Sequence, residues 1–173
     1  MRTAIVVTIA LPPVLERVRA RETDDARLGI PAHITLLSPF VPLVELDDGV
    51  RETVRTIVDR QLAFEVELTE VRRFGPSAGS PAGVLWLAPV PDEPFVALTR
   101  SLVAAFPGLE PYGGAHDEVV PHLTIATADA RRFDHLEAEA LRHLPVAQVI
   151  THAALLLESP DGQWRTAERF GLG

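Results

Sequence analysis

Two short segments of the sequence share one pattern: histidine, an apolar residue, threonine and a second apolar residue. They are residues 33–36 (HITL) and 122–125 (HLTI). Each opens a short apolar run close to a proline, Pro31 in the first and Pro121 in the second, and such bounded runs predict β-strands. Because residues i and i+2 of a strand point to the same face, each segment presents an imidazole and a hydroxyl side by side.

The other four histidines do not repeat the pattern. They are followed two positions later by Glu, Glu, Pro and Ala. A single histidine at a strand start is compatible with a half-buried structural residue. Two copies in matching places, each opening a strand, instead indicate a shared chemical task for His33, Thr35, His122 and Thr124.

The order of elements along the chain predicts an α+β fold. β-Branched, alternating or buried apolar runs predict strands at 3–9, 33–38, 63–74, 84–90, 122–128, 147–158 and 163–170, and helical spacing predicts helices at 13–28, 45–60, 95–106 and 131–144. Each half carries one motif strand in the same place, which resembles a diverged duplication. We therefore expect one bilobal domain over residues 1–173, with two pseudo-symmetric, mainly antiparallel sheets, helices packed outside and a central cleft.

Composition excludes several kinds of chemistry. The 173 residues include no cysteine and no lysine, so thiolate nucleophiles, Cys-ligated metals, Schiff bases and covalent lysine intermediates are excluded. The net charge of -8 argues against a protein that binds long nucleic acid, which needs a basic face. No apolar run approaches a transmembrane span, and residues 1–13 are better explained as a first strand than as a signal peptide. We expect a cytoplasmic monomer without membrane contact.

Two imidazoles and two hydroxyls in one cleft suit the chemistry of a phosphodiester. A neutral histidine can remove a proton while a protonated one donates a proton, and ordinary histidine pKa values permit both near neutrality. Threonine hydroxyls can donate hydrogen bonds to the non-bridging oxygens of an anionic phosphorus centre. This chemistry requires no metal and no cofactor, and we predict neither.

Residues 31–40 (PAHITLLSPF) and 120–126 (VPHLTIA) resemble the two motifs of the 2H phosphoesterases, in the branch of 2′-5′ RNA ligase-like proteins. The segments 72–90 and 95–106 resemble that family's intervening strand pair and next helix. The resemblance implies a bilobal fold and metal-independent action on 2′,3′-cyclic phosphates or 2′-5′ linkages, with His33, Thr35, His122 and Thr124 at the reacting phosphate. Many members continue the second motif into a basic residue, where this chain has Thr127.

Three further residues are predicted to bind substrate, a small phosphorylated ligand or an RNA end. Tyr112, in a Gly-rich segment before His122, and Phe40 could stack a base. Arg73, at the end of a long strand, could approach the phosphate, although charged strand ends are also commonly solvated.

Two other functions remain open on the sequence. The same cleft could belong to a module that binds a cyclic phosphate or RNA end without turnover. Alternatively, the run 116–122 (HDEVVPH) could support a metal-dependent hydrolase through His116 and His122, although its spacing matches no strong metal signature.

Overall fold

The computed structural model describes residues 1–76, 82–109 and 119–173. Within these residues, eight strands lie at Thr3–Thr8 (β1), His33–Leu37 (β2), Phe64–Phe74 (β3), Gly83–Val90 (β4), Leu123–Ala128 (β5), Val146–Ile150 (β6), His152–Glu158 (β7) and Trp164–Gly171 (β8). The helices in the described residues are Pro13–Glu22 (α1), Asp24–Arg27 (α2), Asp48–Asp59 (α3), Glu93–Ala105 (α4) and Phe133–Leu141 (α5), with short 3-10 turns at Leu43–Glu45 and Ala130–Arg132.

The strands form two antiparallel sheets of four. The first has the order β2-β1-β7-β8 and the second β5-β4-β3-β6. The predicted α+β class, with two antiparallel sheets and helices outside them, is confirmed. The two motif strands, β2 and β5, are edge strands in equivalent places, and they contact each other.

The sheets do not correspond to the two halves of the sequence, which corrects the predicted division. The first sheet combines strands from both ends of the chain, since β1 pairs with β7 and sets Val6 opposite Ala154. The second sheet contains every strand from β3 to β6. Strand pairing over such separations leaves no local pattern, so the sequence predicts the strands but not their partners.

The predicted strand 147–158 is two strands in different sheets. β6 alternates between buried and exposed residues and lies at an edge, whereas β7 is buried almost throughout and lies inside its sheet. The change occurs at Thr151, where the chain crosses from one sheet to the other. An alternating run and a continuous apolar run require different surroundings, which is why the two segments separate.

The predicted helix 13–28 is also divided. Thr23 has an extended backbone, and its hydroxyl donates to the Arg19 carbonyl (2.9 Å) and accepts from the Ala26 amide (3.2 Å). That hydroxyl ends α1 and begins α2, as an N-cap threonine does. The predicted helix 45–60 likewise begins later, because the Asp47 carboxylate caps α3 by accepting from the Val50 amide (2.9 Å).

One hydrophobic core joins both sheets and the helices. It includes Ile5 and Ile34 of the first sheet and Leu68 and Leu85 of the second. The helices that pack against the motif strands each come from the other sheet. Helix α1 follows β1 of the first sheet but packs against β5 of the second, and α4 follows β4 of the second sheet but packs against β2 of the first. Each motif strand is thus supported by a helix that leads out of the opposite sheet. No helix of the described residues is long and apolar enough to cross a membrane.

Candidate active site

His33 is the first residue of β2 and is half-buried. Its ring donates a hydrogen bond from Nδ1 to the backbone carbonyl of Pro31 (2.8 Å). The carbonyl can only accept, so the neutral ring carries its hydrogen on Nδ1 and its lone pair on Nε2.

His122 immediately precedes β5 and is held in the same way. Its Nδ1 donates to the carbonyl of Val120 (2.7 Å), which is again two residues upstream. Both motif histidines therefore have the same tautomer, with Nε2 as the nitrogen able to accept or release a proton. The repeated sequence pattern corresponds to repeated ring geometry.

Aromatic residues of the second sheet surround the ring of His122. Phe74 meets it edge to face with ring centroids 5.2 Å apart, and Trp86 lies 5.7 Å away. Trp86 is stacked on Phe74 at 4.7 Å and lies opposite Thr124 in the strand register. These rings restrict the rotation of the His122 side chain while its backbone hydrogen bond fixes its tautomer.

A buried arginine lies on the other side of the site, next to His33. Arg19 of α1 donates from Nη2 to the carbonyls of Ile30 (2.7 Å) and Pro31 (3.1 Å). Burial lowers the pKa of His33 below its usual 6.5; the Pro31 carbonyl and Asp25 oppose that shift, and the charges of Arg19 and His122 add to it. The histidine is consequently neutral around pH 7.

The two histidines and the two threonines line one cleft of about 480 Å³. Thr35 and Thr124 are half-buried, and each lies on the same strand face as its histidine. The cleft therefore brings together two imidazoles and two hydroxyls contributed equally by the two sheets. Arg19 and Asp25 also line it and supply a cation and a carboxylate beside His33.

The prediction that Phe40 binds a base is wrong. Its ring is 3% exposed and packs edge to face against Phe106, with centroids 5.0 Å apart. A ring enclosed by the core offers no face for stacking. Its position directly after the first motif did not reveal that the chain turns inward there.

Arg73 lies on β3 and is engaged elsewhere. Its guanidinium donates to Asp134 (2.8 Å) and Glu137 of α5 and lies 5.7 Å from the Phe133 ring centroid. It is not among the described residues that line the cleft. These contacts favour a structural role over phosphate binding.

Tyr112 and His116 lie outside the described residues. Within the described part of the chain, no group of three or more His, Asp or Glu side chains is arranged to hold a metal ion.

The residues that the sequence interpretation missed are Arg19, Asp25 and Trp164, all of which line the cleft. A usable signal existed for Arg19. It shares a helix face with Leu15 and Val18 by the i, i+3, i+4 spacing, and all three are buried. Trp164 and Asp25 carry no comparable signal, because the place of Trp164 depends on strand pairing and that of Asp25 on how the short helix α2 packs before β2.

Comparison with known proteins agrees with this geometry. The sequence model of the 2′-5′ RNA ligase superfamily matches residues 7–163. A Bacillus cereus strain G9842 protein named "Putative phosphoesterase" is 26% identical over 151 residues, covering 83% of this chain and 80% of that protein. A Bacillus cytotoxicus protein of the same description is 28% identical over 152 residues, with the same coverage.

Two solved structures share the fold over nearly the whole chain. Protein TT0787 of Thermus thermophilus has a TM-score of 0.60 at 19% identity, and the match covers 99% of this chain and 97% of that one. Escherichia coli LigT, solved in complex with 3′-AMP, has a TM-score of 0.56 at 18% identity with the same coverage. The family match, which spans both histidine motifs and most of the chain, shows that this protein belongs to the 2′-5′ RNA ligase superfamily of 2H phosphoesterases.

Proposed function

We propose that this protein is a metal-independent phosphodiesterase that hydrolyses 2′,3′-cyclic phosphates of a small nucleotide or an RNA end. The observation that carries the proposal is the matched geometry of His33 and His122. Both rings donate from Nδ1 to a carbonyl two residues upstream and line the same cleft. Two imidazoles prepared in this way can act as a base and an acid on one phosphorus centre.

In the proposed reaction, the Nε2 atom of one neutral histidine takes a proton from water. The water oxygen forms a bond to phosphorus in line with one ring oxygen of the cyclic phosphate, and the bond from phosphorus to that ring oxygen breaks. The second histidine, protonated, gives its Nε2 proton to the departing ribose oxygen. The product is a ribose phosphomonoester, and the two histidines have exchanged protonation states.

The surroundings of His33 favour it as the base in hydrolysis. Its lowered pKa, with Arg19 nearby, keeps the ring neutral and able to accept a proton. His122 is then the acid. The roles reverse when the reaction runs towards the cyclic phosphate. Ligation would open the ring with a ribose 5′-hydroxyl in place of water, so the two histidines would keep the roles they have in hydrolysis.

Thr35 and Thr124 are proposed to stabilise the charge that develops on phosphorus. One hydroxyl comes from each sheet, so a phosphate between the histidines can receive a hydrogen bond from either side. Each such donor acts most strongly on the transition state, where the non-bridging oxygens carry the most charge.

The net charge of -8 fits a small anionic ligand bound in a local pocket better than a long nucleic acid. The similarity to LigT, which was solved with 3′-AMP, supports a nucleotide as that ligand. We propose that the protein acts as a cytoplasmic monomer.

The experiment is an activity screen over nucleoside 2′,3′-cyclic phosphates and 2′-5′-linked dinucleotides, with and without a chelator. We expect turnover of a cyclic phosphate that the chelator does not affect. His33→Ala and His122→Ala should each lower the rate of cyclic phosphate hydrolysis at least about 100-fold. The control variant His135→Ala, at an exposed position of α5, should retain activity. Turnover that survives both motif substitutions contradicts the mechanism. Loss with chelator points to a metal-dependent hydrolase, and binding without turnover to a binding module.

A further inference from the structure

The cleft extends from the motif residues onto a small apolar surface of the first sheet. Ala4 and Val6 of β1 and Ala154 and Leu156 of β7 are each at most 5% exposed and form a cluster separate from the main core. We call this surface the apolar floor. Ala4, Val6 and Leu156 line the same cleft as the histidines, so the wall beside the reacting centre is apolar.

The strand register places the two parts of the cleft in sequence along β1. Thr8 lies opposite His33, and Val6 lies opposite Thr35. Two residues further, Ala4 lies opposite Leu156. The motif residues are therefore at one end of the β1 face that lines the cleft, and the apolar floor leads away from them towards the start of the strand.

Trp164 of β8 lies beside the apolar floor. Its ring is half-buried, packs against the floor together with Ile30, and lines the cleft. The Trp164 amide donates to the Leu28 carbonyl (2.7 Å), which ties the start of β8 to the loop before β2. An indole held in this way presents part of its ring to the cleft that also contains the motif residues.

Arg2 lies over the same indole, with its guanidinium carbon 5.5 Å from the ring centroid. Its charge is matched by Glu158, which accepts from Nη2 at 2.6 Å and lies opposite Trp164 in the register. Asp25 contributes a further carboxylate to the cleft. This region therefore disfavours a second phosphate and suits a neutral, flat group, whose amino hydrogens a carboxylate can accept.

We propose that Trp164 and the apolar floor, together the Trp164 subsite, bind the nucleobase of the substrate. The proposal rests on the proposed function insofar as it places the phosphate between the two histidines. A cleft of about 480 Å³ falls in the range of sites that enclose a drug-sized molecule, which is more than a phosphate alone requires. Stacking on an aromatic ring is tolerant of base identity, so the subsite selects nucleotides without strong sequence preference.

The test compares substrates with and without a base. For Trp164→Leu we expect KM for nucleoside 2′,3′-cyclic phosphates to rise about tenfold or more, with kcat little changed. KM for ribose 2′,3′-cyclic phosphate, which lacks the base, should not change, and this also shows that the variant is folded. Trp164→Phe should restore most of the affinity. Equal effects on both substrates, or no effect on either, overturn the proposal.

A binding measurement separates this proposal from the proposed function. Calorimetric titration of wild type and Trp164→Leu with uridine 3′-monophosphate and with ribose 3-phosphate reports the subsite without turnover. Base-dependent binding that requires Trp164, in a protein that hydrolyses no cyclic phosphate, supports the subsite and refutes the activity. Turnover of both cyclic phosphates with no dependence on Trp164 refutes the subsite and supports the activity.

Discussion

Arg19 and His33 share one hydrogen-bond acceptor, the backbone carbonyl of Pro31. The guanidinium donates to it at 3.1 Å and the imidazole at 2.8 Å. A buried positive charge is thereby placed one carbonyl away from the histidine that we propose as the base. The Val120 carbonyl accepts a hydrogen bond from the ring of His122 in the same way.

This relationship predicts opposite pH shifts for two substitutions. Arg19 lowers and Asp25 raises the pKa of His33. Arg19→Met should therefore raise that pKa and move the acid limb of kcat/KM, which reports the free enzyme, to higher pH. Asp25→Asn should move the limb to lower pH. Histidine NMR titration of the same variants measures the pKa directly, and shifts in the same direction in both variants would refute the electrostatic role.

The stability of the wild-type protein should also depend on His33. Its pKa is below 6.5 in the folded protein and near 6.5 in the unfolded chain, so below pH 6.5 the unfolded chain binds the proton more readily. Its contribution should therefore lower the free energy of unfolding as the pH falls from about 6.5 towards the folded pKa. Denaturant titrations of wild type and His33→Gln over pH 5–8 check this, and a constant difference between them would contradict it.

The assignment of base and acid can be tested with a uridine 4-nitrophenyl phosphodiester. Its phosphate is attached to the ribose oxygen that stays bound to phosphorus when the cyclic phosphate is hydrolysed. Its free ribose hydroxyl attacks phosphorus and 4-nitrophenolate leaves, which is ring opening in reverse. His122 is then the base, and the leaving group needs no acid. We expect His33→Ala to lower the rate of this reaction only about tenfold and His122→Ala to lower it at least about 100-fold. The absorbance of the released 4-nitrophenolate measures the rate. The opposite ranking reverses the assignment.

The two motif threonines should affect catalysis more than binding. Replacing Thr35 or Thr124 by Val removes one donor to the transition state and should lower kcat by about 10- to 1000-fold, with a smaller change in KM. Thr127, exposed on the same strand as Thr124, provides the control, and Thr127→Val should leave both constants near wild type. Equal losses in all three variants would indicate a general effect on the strands instead.

A buried carboxylate joins α1 to the segment that follows β5. Glu22 of α1 accepts from Arg21 and from Arg132, each at 2.8 Å, and Arg132 lies just after β5. Although burial opposes its charge, these hydrogen bonds lower the pKa of Glu22 below its usual 4.5.

Glu22→Gln should lower the free energy of unfolding by about 1–3 kcal/mol at pH 7. The folded pKa is the lower one, so the contribution of Glu22 is present above pH 4.5 and is lost as the pH falls through the folded value. Chemical denaturation at pH 7 and pH 4 measures both effects. Glu52→Gln, which breaks an exposed ion pair with Arg55, should change stability little; equal effects in the two variants would show that burial of Glu22 does not matter.

The motif strands were predictable because their pattern is local. The positions of His33 and Thr35 on one strand face follow from two-residue periodicity alone, and the same holds for His122 and Thr124. Their meeting in one cleft depends on which strands become edges, and that depends on pairings such as Val6 with Ala154. No segment of the sequence encodes such a pairing by itself.

Burial explains the individual errors. Phe40 and Trp164 are both aromatic residues near turns, yet the first lies in the core and the second lines the cleft. Arg73 and Arg19 are both in charged segments, yet Arg73 pairs with α5 while Arg19 is enclosed beside His33. Residue type predicted neither outcome, because each depends on what the completed sheets place beside the side chain.

The exchange of helices between the sheets has a consequence for motion. Since α1 supports β5 and α4 supports β2, widening the gap between the two imidazoles would separate packed helices from strands and expose core residues to water. Such opening costs far more than bending a free linker between two bodies. The spacing of the two motif histidines is therefore set by the hydrophobic core, and we expect a substrate to enter along the cleft without separation of the two sheets.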